Sequence, residues 1–156
     1  MAIALTLQQY LAEHRVEYDV LPHTPTLSSM RTAQASHVSG KCLAKAVVLK
    51  GEAGYLLAVL PASYHLRLDD LAERLGRQVE LATEQEIEAL FRDCARGAVP
   101  PIGAAYGVDV IVEDSIAKQP DIYFEGGDHT TLVHMTGAQF ARLMAGAQHG
   151  QFSLNH

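Results

Sequence analysis

The sequence lacks the features of several large protein classes. It has no tryptophan, and its two cysteines, Cys42 and Cys94, are 52 positions apart and outside any CxxC motif. We therefore expect neither a disulfide framework nor a zinc site, and interpret both thiols as buried structural groups. No apolar run reaches the roughly eighteen residues of a membrane-spanning helix. The first ten residues, MAIALTLQQY, lack a basic leader and a cleavage site, so we expect a cytoplasmic protein with no membrane partner.

Basic residues are also scarce. Twelve Lys and Arg against eighteen Asp and Glu give a formal net charge of −6, which argues against coating DNA or RNA by bulk electrostatics. The charge is uneven, because residues 20–51 contain no acidic residue and carry +4, whereas the remainder carries −10. The basic residues of this segment are Arg31, Lys41, Lys45 and Lys50. Either they cluster by chance, or they form a local, salt-sensitive contact for nucleic acid.

The chain length and apolar content predict one core. Apolar residues make up 48% of 156 residues, and neither an internal repeat nor a linker interrupts them. We expect a single domain over residues 1–146, followed by a loose tail over 147–156.

Hydrophobic periodicity predicts interleaved helices and strands. The runs AKAVVLK (44–50) and YLLAVLP (55–61) flank the turn GEAG and predict a buried hairpin. Further strands are predicted at 16–21, 78–82, 108–112, 121–125 and 130–135. Helices are predicted after Thr6, over 30–36, from Asp69 or Asp70 to Leu75, after the capping box Thr83–Glu86, and after Thr136. Glycines and adjacent prolines make 92–107 a shaped loop. We therefore expect an α+β or mixed α/β fold: a mixed, largely antiparallel sheet, or a barrel-like core, surrounded by helices.

Lys45 is the first candidate for chemistry. On the predicted strand it shares a face with Val47 and Leu49, whereas Lys50 lies on the other face beside the turn. A lysine at the mouth of an apolar strand face can hold a phosphate or a carbonyl as a fixed cation. It can also be an edge-protecting lysine without chemistry, and a Schiff-base lysine is a further alternative.

The second candidate is Gly97-Ala98-Val99-Pro100-Pro101. The prolines have no N–H and fix φ, while Gly97 permits a conformation that aims neighbouring N–H groups at one point. Such donors form a cradle for an anion or an oxyanion. The alternative is a rigid connector between a helix and a strand.

His129 is the third candidate, directly after Gly126-Gly127-Asp128. His134 follows five positions later, and an odd separation on a strand turns the two imidazoles to opposite faces. We therefore expect no metal site from this pair and no cofactor. His129 is then either a surface hydrogen-bonding residue or a gate of a pocket. Cys94 has no local base to lower its pKa, so a thiol hydrolase is not expected.

Taken in order, these segments resemble a known family. LAKAVVLK, GAVPPIGAAYG and YFEGGDHTTLVHM, followed by a helix, are similar to the YbaK/prolyl-tRNA synthetase-associated domain over residues 5–145. The lysine in an apolar strand and the G-x-x-x-P loop carry the resemblance most specifically. The family comprises editing domains and free-standing proteins that deacylate mischarged tRNA. The resemblance implies a mixed sheet or barrel-like core ringed by helices, with the site between the lysine and the loop.

The resemblance also implies roles for single residues. Lys45 matches the lysine associated with the phosphate of the 3′-terminal adenosine, and the Gly97–Pro101 loop places backbone groups around the aminoacyl ester. His129 matches a histidine that helps define the amino-acid pocket, and Asp128 is its expected orienter. We expect the catalytic residues to be Lys45, Gly97 and Pro101, and the substrate-binding residues to be Arg31, Ala98, Val99, Pro100, Asp128 and His129.

The resemblance implies an aminoacyl-tRNA deacylase that edits tRNA carrying a small amino acid and binds its acceptor end. Hydrolysis of the ester needs a water, oxyanion donors and a pocket, but no nucleophilic side chain or metal. A pocket discriminates by only about 1–3 kcal/mol per methylene, so the amino acid stays open. Specificity for the tRNA is expected to be weak or borrowed from an aminoacyl-tRNA synthetase. The alternative is a non-catalytic module of the same fold that binds aminoacyl-tRNA or a synthetase.

Overall fold

The structure is a computed structural model that describes residues 3–24 and 29–155. Its helices are α1 (Leu5–Glu13), α2 (Ser29–Ala35), α3 (Leu68–Leu75), α4 (Glu84–Leu90), α5 (Asp114–Ala117) and α6 (Gly137–Leu143), with a 3-10 helix at Gly103–Tyr106. Its strands are β1 (Asp19–Pro22), β2 (Ala44–Gly51), β3 (Gly54–Pro61), β4 (Tyr64–Leu66), β5 (Val79–Leu81), β6 (Asp109–Glu113), β7 (Asp121–Glu125), β8 (Thr131–Thr136), β9 (Gln148–Gly150) and β10 (Ser153–Asn155). Within the two described ranges, every helix is too short or too polar to cross a membrane.

The strands of the described residues form three sheets. Their orders are β5-β2-β3-β6-β9, β1-β8-β7 and β10-β4. Pairing is antiparallel except where β6 pairs with β3 and β9. This confirms the predicted mixed, largely antiparallel architecture. The barrel-like alternative is wrong, because β5 and β9 end the largest sheet on opposite sides instead of pairing with each other.

β2 and β3 form the predicted hairpin, with Val48 opposite Leu57. Val48 packs into one apolar cluster, and Leu49 packs into a second cluster. Consecutive residues of a strand point to opposite faces, so both faces of the hairpin are covered. Lys45 shares the Leu49 face, as the alternation predicts.

The first helix is capped from a distant part of the chain. α1 begins at Leu5, and its N-cap residue is Ala4 instead of the predicted Thr6. The Asp93 carboxylate accepts the amide of Thr6 at 2.8 Å, across 87 positions. The expected apolar face is present, since Leu7 on α1 is fully buried. The prediction of the cap failed because its acceptor lies outside the local sequence.

The end of the chain is not the predicted loose tail. β9 pairs with β6, and β10 pairs with β4. Between them, Phe152 is only 1% exposed and packs into the second apolar cluster. The Glu113 carboxylate accepts the amide of Phe152 at 2.8 Å and the hydroxyl of Ser153 at 2.9 Å. One aromatic anchor and one buried carboxylate therefore order a segment whose composition is mainly polar.

Other helix ends follow the local sequence. Thr83 and Glu86 make both hydrogen bonds of the predicted capping box, and the Thr136 side chain accepts the amide of Gln139 at the start of α6. The sequence prediction lacks β4, α5 and the 3-10 helix within 92–107. Each of these three has only three or four residues and shows no periodicity that distinguishes it from a loop.

Candidate functional site

Lys45 lies near the start of β2 and is half-buried. Its ammonium donates to the carbonyl of Tyr64 at 2.5 Å and to that of Ala62 at 3.4 Å. Ala62 lies in the turn between β3 and β4, and Tyr64 is the first residue of β4. Burial lowers the pKa of the Lys45 ammonium from its ordinary value. An ammonium has three donors, so this cation is held in place and keeps a donor with no acceptor among the described residues.

Lys50 is separate from this position. It lies five residues farther along β2, roughly 16 Å away at the usual rise of a strand. Its ammonium pairs with the Glu86 carboxylate at 2.9 Å, and this contact raises the pKa of Lys50. The basic segment of the sequence is therefore not one basic surface, because this lysine is neutralised at the hairpin end.

Arg31 and Lys41 are each next in sequence to a residue of the packing around the β3–β4 turn, Met30 and Gly40. Both basic residues are exposed. Met30, beside Arg31 on α2, is within 2.9 Å of the position that a β-carbon of Gly40 would occupy. The Gly40 carbonyl also accepts the amide of Ser63 at 3.2 Å. α2 and the turn before β2 therefore pack around the turn that anchors the lysine.

The Gly97–Pro101 loop connects α4 to the 3-10 helix. Gly97 is exposed and has φ of +80°, in the left-handed region, while the two prolines are buried. The amide of Ala98 donates to the carbonyl of Ala95 at 3.1 Å. Within the described parts of the chain, the amides of Gly97 and Val99 have no protein acceptor. The predicted cradle is thus reduced to these two donors, because Ala98 uses its amide inside the loop.

His129 contacts this loop directly. A β-carbon at Gly97 would lie 3.0 Å from His129 Cε1 and 3.2 Å from Nε2. His129 Nε2 also donates to the carbonyl of Arg96. A second bond joins the same two segments, from the amide of Ala95 to the carbonyl of Gly127 at 2.6 Å. The fold therefore brings together two segments that the sequence analysis selected separately.

Asp128 does not orient His129, contrary to expectation. Its carboxylate accepts the amide of Thr130 and the hydroxyl of Thr131, both at 3.0 Å. Partial burial favours the neutral acid, but these hydrogen bonds prevail and hold the pKa of Asp128 below its ordinary value. The carboxylate that faces His129 is Glu125, with 3.5 Å between Oε2 and Nδ1.

Glu125 also binds His23, which the sequence analysis does not single out. Glu125 ends β7, His23 follows β1, and β8 lies between these strands. His23 Nε2 is 2.7 Å from Glu125 Oε1, and His23 Nδ1 donates to the carbonyl of Thr24 at 2.7 Å. Burial raises the pKa of the Glu125 carboxyl, and the contacts with His23 oppose this shift. We call His23, Glu125 and His129 the imidazole–carboxylate cluster.

One bridge relates this cluster to the lysine. Leu43 and Tyr123 pair in parallel, and the amide of Tyr123 donates to the carbonyl of Cys42 at 2.9 Å. The two segments run in the same direction from this bridge. Lys45 follows Leu43 by two residues, and Glu125 follows Tyr123 by two residues. Because side chains alternate along a strand, Lys45 lies on the same side of its strand as Leu43, and Glu125 on the same side as Tyr123. Lys45 and Glu125 thus lie two residues beyond one bridge, on strands of two different sheets.

A cavity of about 200 Å³ adjoins the Gly97–Pro101 loop on its α4 side. Its apolar lining includes Ile87, Phe91 and Val99. Cys94 also lines it, and burial raises the pKa of this thiol to about 11. The thiol is therefore protonated at neutral pH and is not a nucleophile. Residues 3–24 and 29–155 contain no group of three or more His, Cys, Asp or Glu side chains arranged to hold a metal ion.

Solved structures share this fold at low sequence identity. The hypothetical protein APE2540 has a TM-score of 0.83 and 21% identity, over 95% of this chain and 99% of its own. A proposed trans-editing enzyme for prolyl-tRNA synthetase has a TM-score of 0.80 and 22% identity, over 99% of both chains. A proposed signal transduction protein from Marinobacter aquaeolei VT8 has a TM-score of 0.80 and 18% identity, over 99% of this chain and 31% of its own. At such identities the similarity concerns the fold.

The family is shown by sequence. No curated protein matches the chain. The family model of the aminoacyl-tRNA editing domain matches residues 23–143, which is most of the chain. The matched stretch contains Lys45, the Gly97–Pro101 loop and His129. The chain belongs to the aminoacyl-tRNA editing domain family.

Proposed function

We propose that this protein is a trans-acting deacylase that hydrolyses the ester of mischarged tRNA carrying a small amino acid. The observation that carries the proposal is the contact of His129 with the Gly97–Pro101 loop, beside two amides that have no acceptor among the described residues. Unpaired amides at a left-handed glycine suit an oxygen atom that gains negative charge. Membership in the editing family provides the class of substrate.

In this proposal Lys45 binds the phosphate of the 3′-terminal adenosine. Two carbonyls already fix its ammonium, so little side-chain entropy is lost when a ligand binds. A bound anion favours the charged ammonium and so opposes the effect of burial, which lowers the pKa of Lys45. The exposed Arg31 and Lys41 add a local attraction for phosphates, which salt weakens. A Schiff base is not proposed, because the nitrogen is held as a donor by two carbonyls.

The amides of Gly97 and Val99 polarise the ester carbonyl. A water molecule adds to the carbonyl carbon, the bond to the ribose oxygen breaks, and that oxygen takes up a proton. The products are the free amino acid and uncharged tRNA. The hydroxyl of the substrate's own ribose assists the water, so no nucleophilic side chain is required. Pro100 and Pro101 act by fixing the course of the loop, because proline has a restricted φ and no N–H.

The cavity beside Gly97 and Val99 supports the proposal that the substrate carries a small aminoacyl group. Its volume of about 200 Å³ is below the roughly 300–1,000 Å³ of pockets for drug-sized ligands. Alanine, serine, threonine and cysteine side chains are of suitable size. Size alone separates neighbouring substrates by about 1–3 kcal/mol per methylene, so activity is expected on more than one of them.

The test is a panel of tRNAs charged with alanine, serine, threonine, cysteine or leucine, incubated with purified protein and no synthetase. We expect ester loss above the spontaneous rate for the small amino acids and slower loss for leucine. Protein-free reactions provide the baseline for every tRNA. Binding of the acceptor end without ester loss would identify a non-catalytic module and overturn the proposal.

A further inference from the structure

Glu125 and His23 have no part in the ester chemistry described above, yet both act on the residue that touches the loop. We propose that Glu125 and His23 are positioning residues of the editing site, which fix the His129 ring against the Arg96 carbonyl and thereby the direction of the Gly97 amide. This rests on the proposed function only in assigning that amide to the ester. The effect on the loop itself can be measured without any reaction.

The hydrogen bonds of the cluster fix one proton on each ring. A carbonyl oxygen only accepts, so His23 Nδ1, facing Thr24, and His129 Nε2, facing Arg96, each carry a proton. One more proton lies in the 2.7 Å contact between His23 Nε2 and Glu125 Oε1. His129 Nδ1 is buried, has no hydrogen-bond partner in the part of the chain that the structure describes, and lies 3.5 Å from Glu125 Oε2. His129 Nε2 therefore carries a proton, and its Nδ1 faces the Glu125 carboxylate.

The charged residues next to the cluster, Asp128 and Arg96, direct their side chains to other groups. Asp128 is the other carboxylate whose charge acts on Glu125, and it raises the pKa of that residue, but its own oxygens are bonded within the β7–β8 turn. The guanidinium of Arg96 pairs with Glu84 at 2.6 Å and Glu88 at 2.9 Å. The Arg96 side chain is thus directed to α4, and its carbonyl is the group presented to His129.

A shift of the His129 ring must be transmitted to the loop. The ring is in contact with the backbone of Gly97, and its Nε2 is bonded to the preceding residue, Arg96. Misplacement of an active-site group by about 1 Å can lower a rate on the order of 100-fold. Since the Gly97 amide binds charge that develops during the reaction, its misplacement should lower kcat and leave KM for tRNA nearly unchanged.

The kinetic test compares two substitutions of Glu125 with a matched control. Glu125→Ala removes both contacts, and we expect kcat to fall on the order of 100-fold. Glu125→Gln keeps a hydrogen-bonding group next to His23 and is expected to recover most of the rate. The control is Asp121→Asn on the same strand, which removes a carboxylate 2.9 Å from His134, outside the cluster. We expect this variant to retain the wild-type kcat. A loss confined to KM, or equal losses for Glu125→Ala and Asp121→Asn, would overturn the proposal.

A second readout is independent of activity. In ¹H–¹⁵N spectra, Glu125→Ala should shift the resonances of the Gly97 amide and of the His129 ring nitrogens, while Asp121→Asn should change neither. If Glu125→Ala does not fold, His23→Gln, which acts on His129 only through Glu125, should shift the Gly97 amide in the same direction. A Gly97 amide that responds to His129→Ala but not to the Glu125 or His23 variants would overturn the proposal. If the expected shifts occur but the wild-type protein hydrolyses no ester, the proposed function fails and the positioning of the loop stands.

Discussion

The ring of His129 lies against the backbone of Gly97, so closely that a β-carbon there would be 3.0 Å from Cε1. Gly97 also has φ of +80°, a conformation that residues with a β-carbon rarely adopt. Position 97 therefore needs glycine for two separate reasons, its backbone conformation and its neighbour. Only the second reason connects the glycine of the loop to the proposed chemistry, and a suitable control can separate them.

Gly97→Ala should lower kcat for deacylation on the order of 100-fold, because the added methyl displaces the ring and the loop. The matched control is Gly76→Ala, since Gly76 has φ of +70° and no atom of the described residues within 4 Å of its β-carbon position. Both variants carry the strain of a left-handed alanine, about 1–2 kcal/mol, which urea unfolding will measure. A Gly97→Ala protein as active as Gly76→Ala would show that the contact with His129 has no bearing on the reaction.

Ile87→Ala should broaden the range of amino acids removed from tRNA. Ile87 lines the cavity of about 200 Å³ beside the loop, and its truncation enlarges that cavity. With about 1–3 kcal/mol per methylene, we expect the rate for leucyl-tRNA relative to alanyl-tRNA to rise at least roughly tenfold. Leu81→Ala, an exposed residue outside the cavity, is the control and should leave the ratio unchanged. An unchanged ratio in Ile87→Ala would place the amino-acid side chain elsewhere.

His134 should make stability depend on pH. Its ring lies between Asp19 at 2.7 Å and Asp121 at 2.9 Å. Partial burial acts against the charged ring, but the two aspartates prevail and raise the pKa of His134 above its ordinary value. A histidine whose pKa is raised in the folded protein adds stability at pH values below its pKa in the unfolded chain, about 6.5. This stability is lost as the pH rises through the pKa of the folded protein. His134→Gln should therefore lower Tm more at about pH 5.5 than at about pH 8.5. An equal difference in Tm at both pH values would contradict this.

The parts of the fold that short-range patterns specify could be predicted. The β2–β3 hairpin follows from two apolar runs around a glycine-bearing turn, and the two-residue period of a strand also places Lys45 on the Leu49 face. The capping box of Thr83 and Glu86 follows from a spacing of three residues. The contacts that form the hairpin and the capping box join residues that are close in sequence. The sequence pattern therefore shows these contacts directly.

The remaining parts depend on partners that are distant in sequence. The cap of α1 comes from Asp93, and the contact between His23 and Glu125 joins residues 102 positions apart. Neither pair has a spacing that could be recognised before the strand order is known. Asp128 was the wrong orienter for His129 for a related reason. It is adjacent in sequence, but the turn directs its carboxylate to the amide of Thr130 and the hydroxyl of Thr131.

The central claim is that Lys45 is a fixed cation of an ester-hydrolysing site. The most direct measurement is the single-turnover deacylation rate of Lys45→Met on the mischarged tRNA that the wild-type protein hydrolyses fastest. A hydrogen bond to a charged group contributes about 1.5–3 kcal/mol, so we predict a loss of roughly ten- to a hundredfold. Lys50→Met, on the same strand but paired with Glu86, should keep the wild-type rate. A Lys45→Met protein that deacylates as fast as the wild type would contradict the claim.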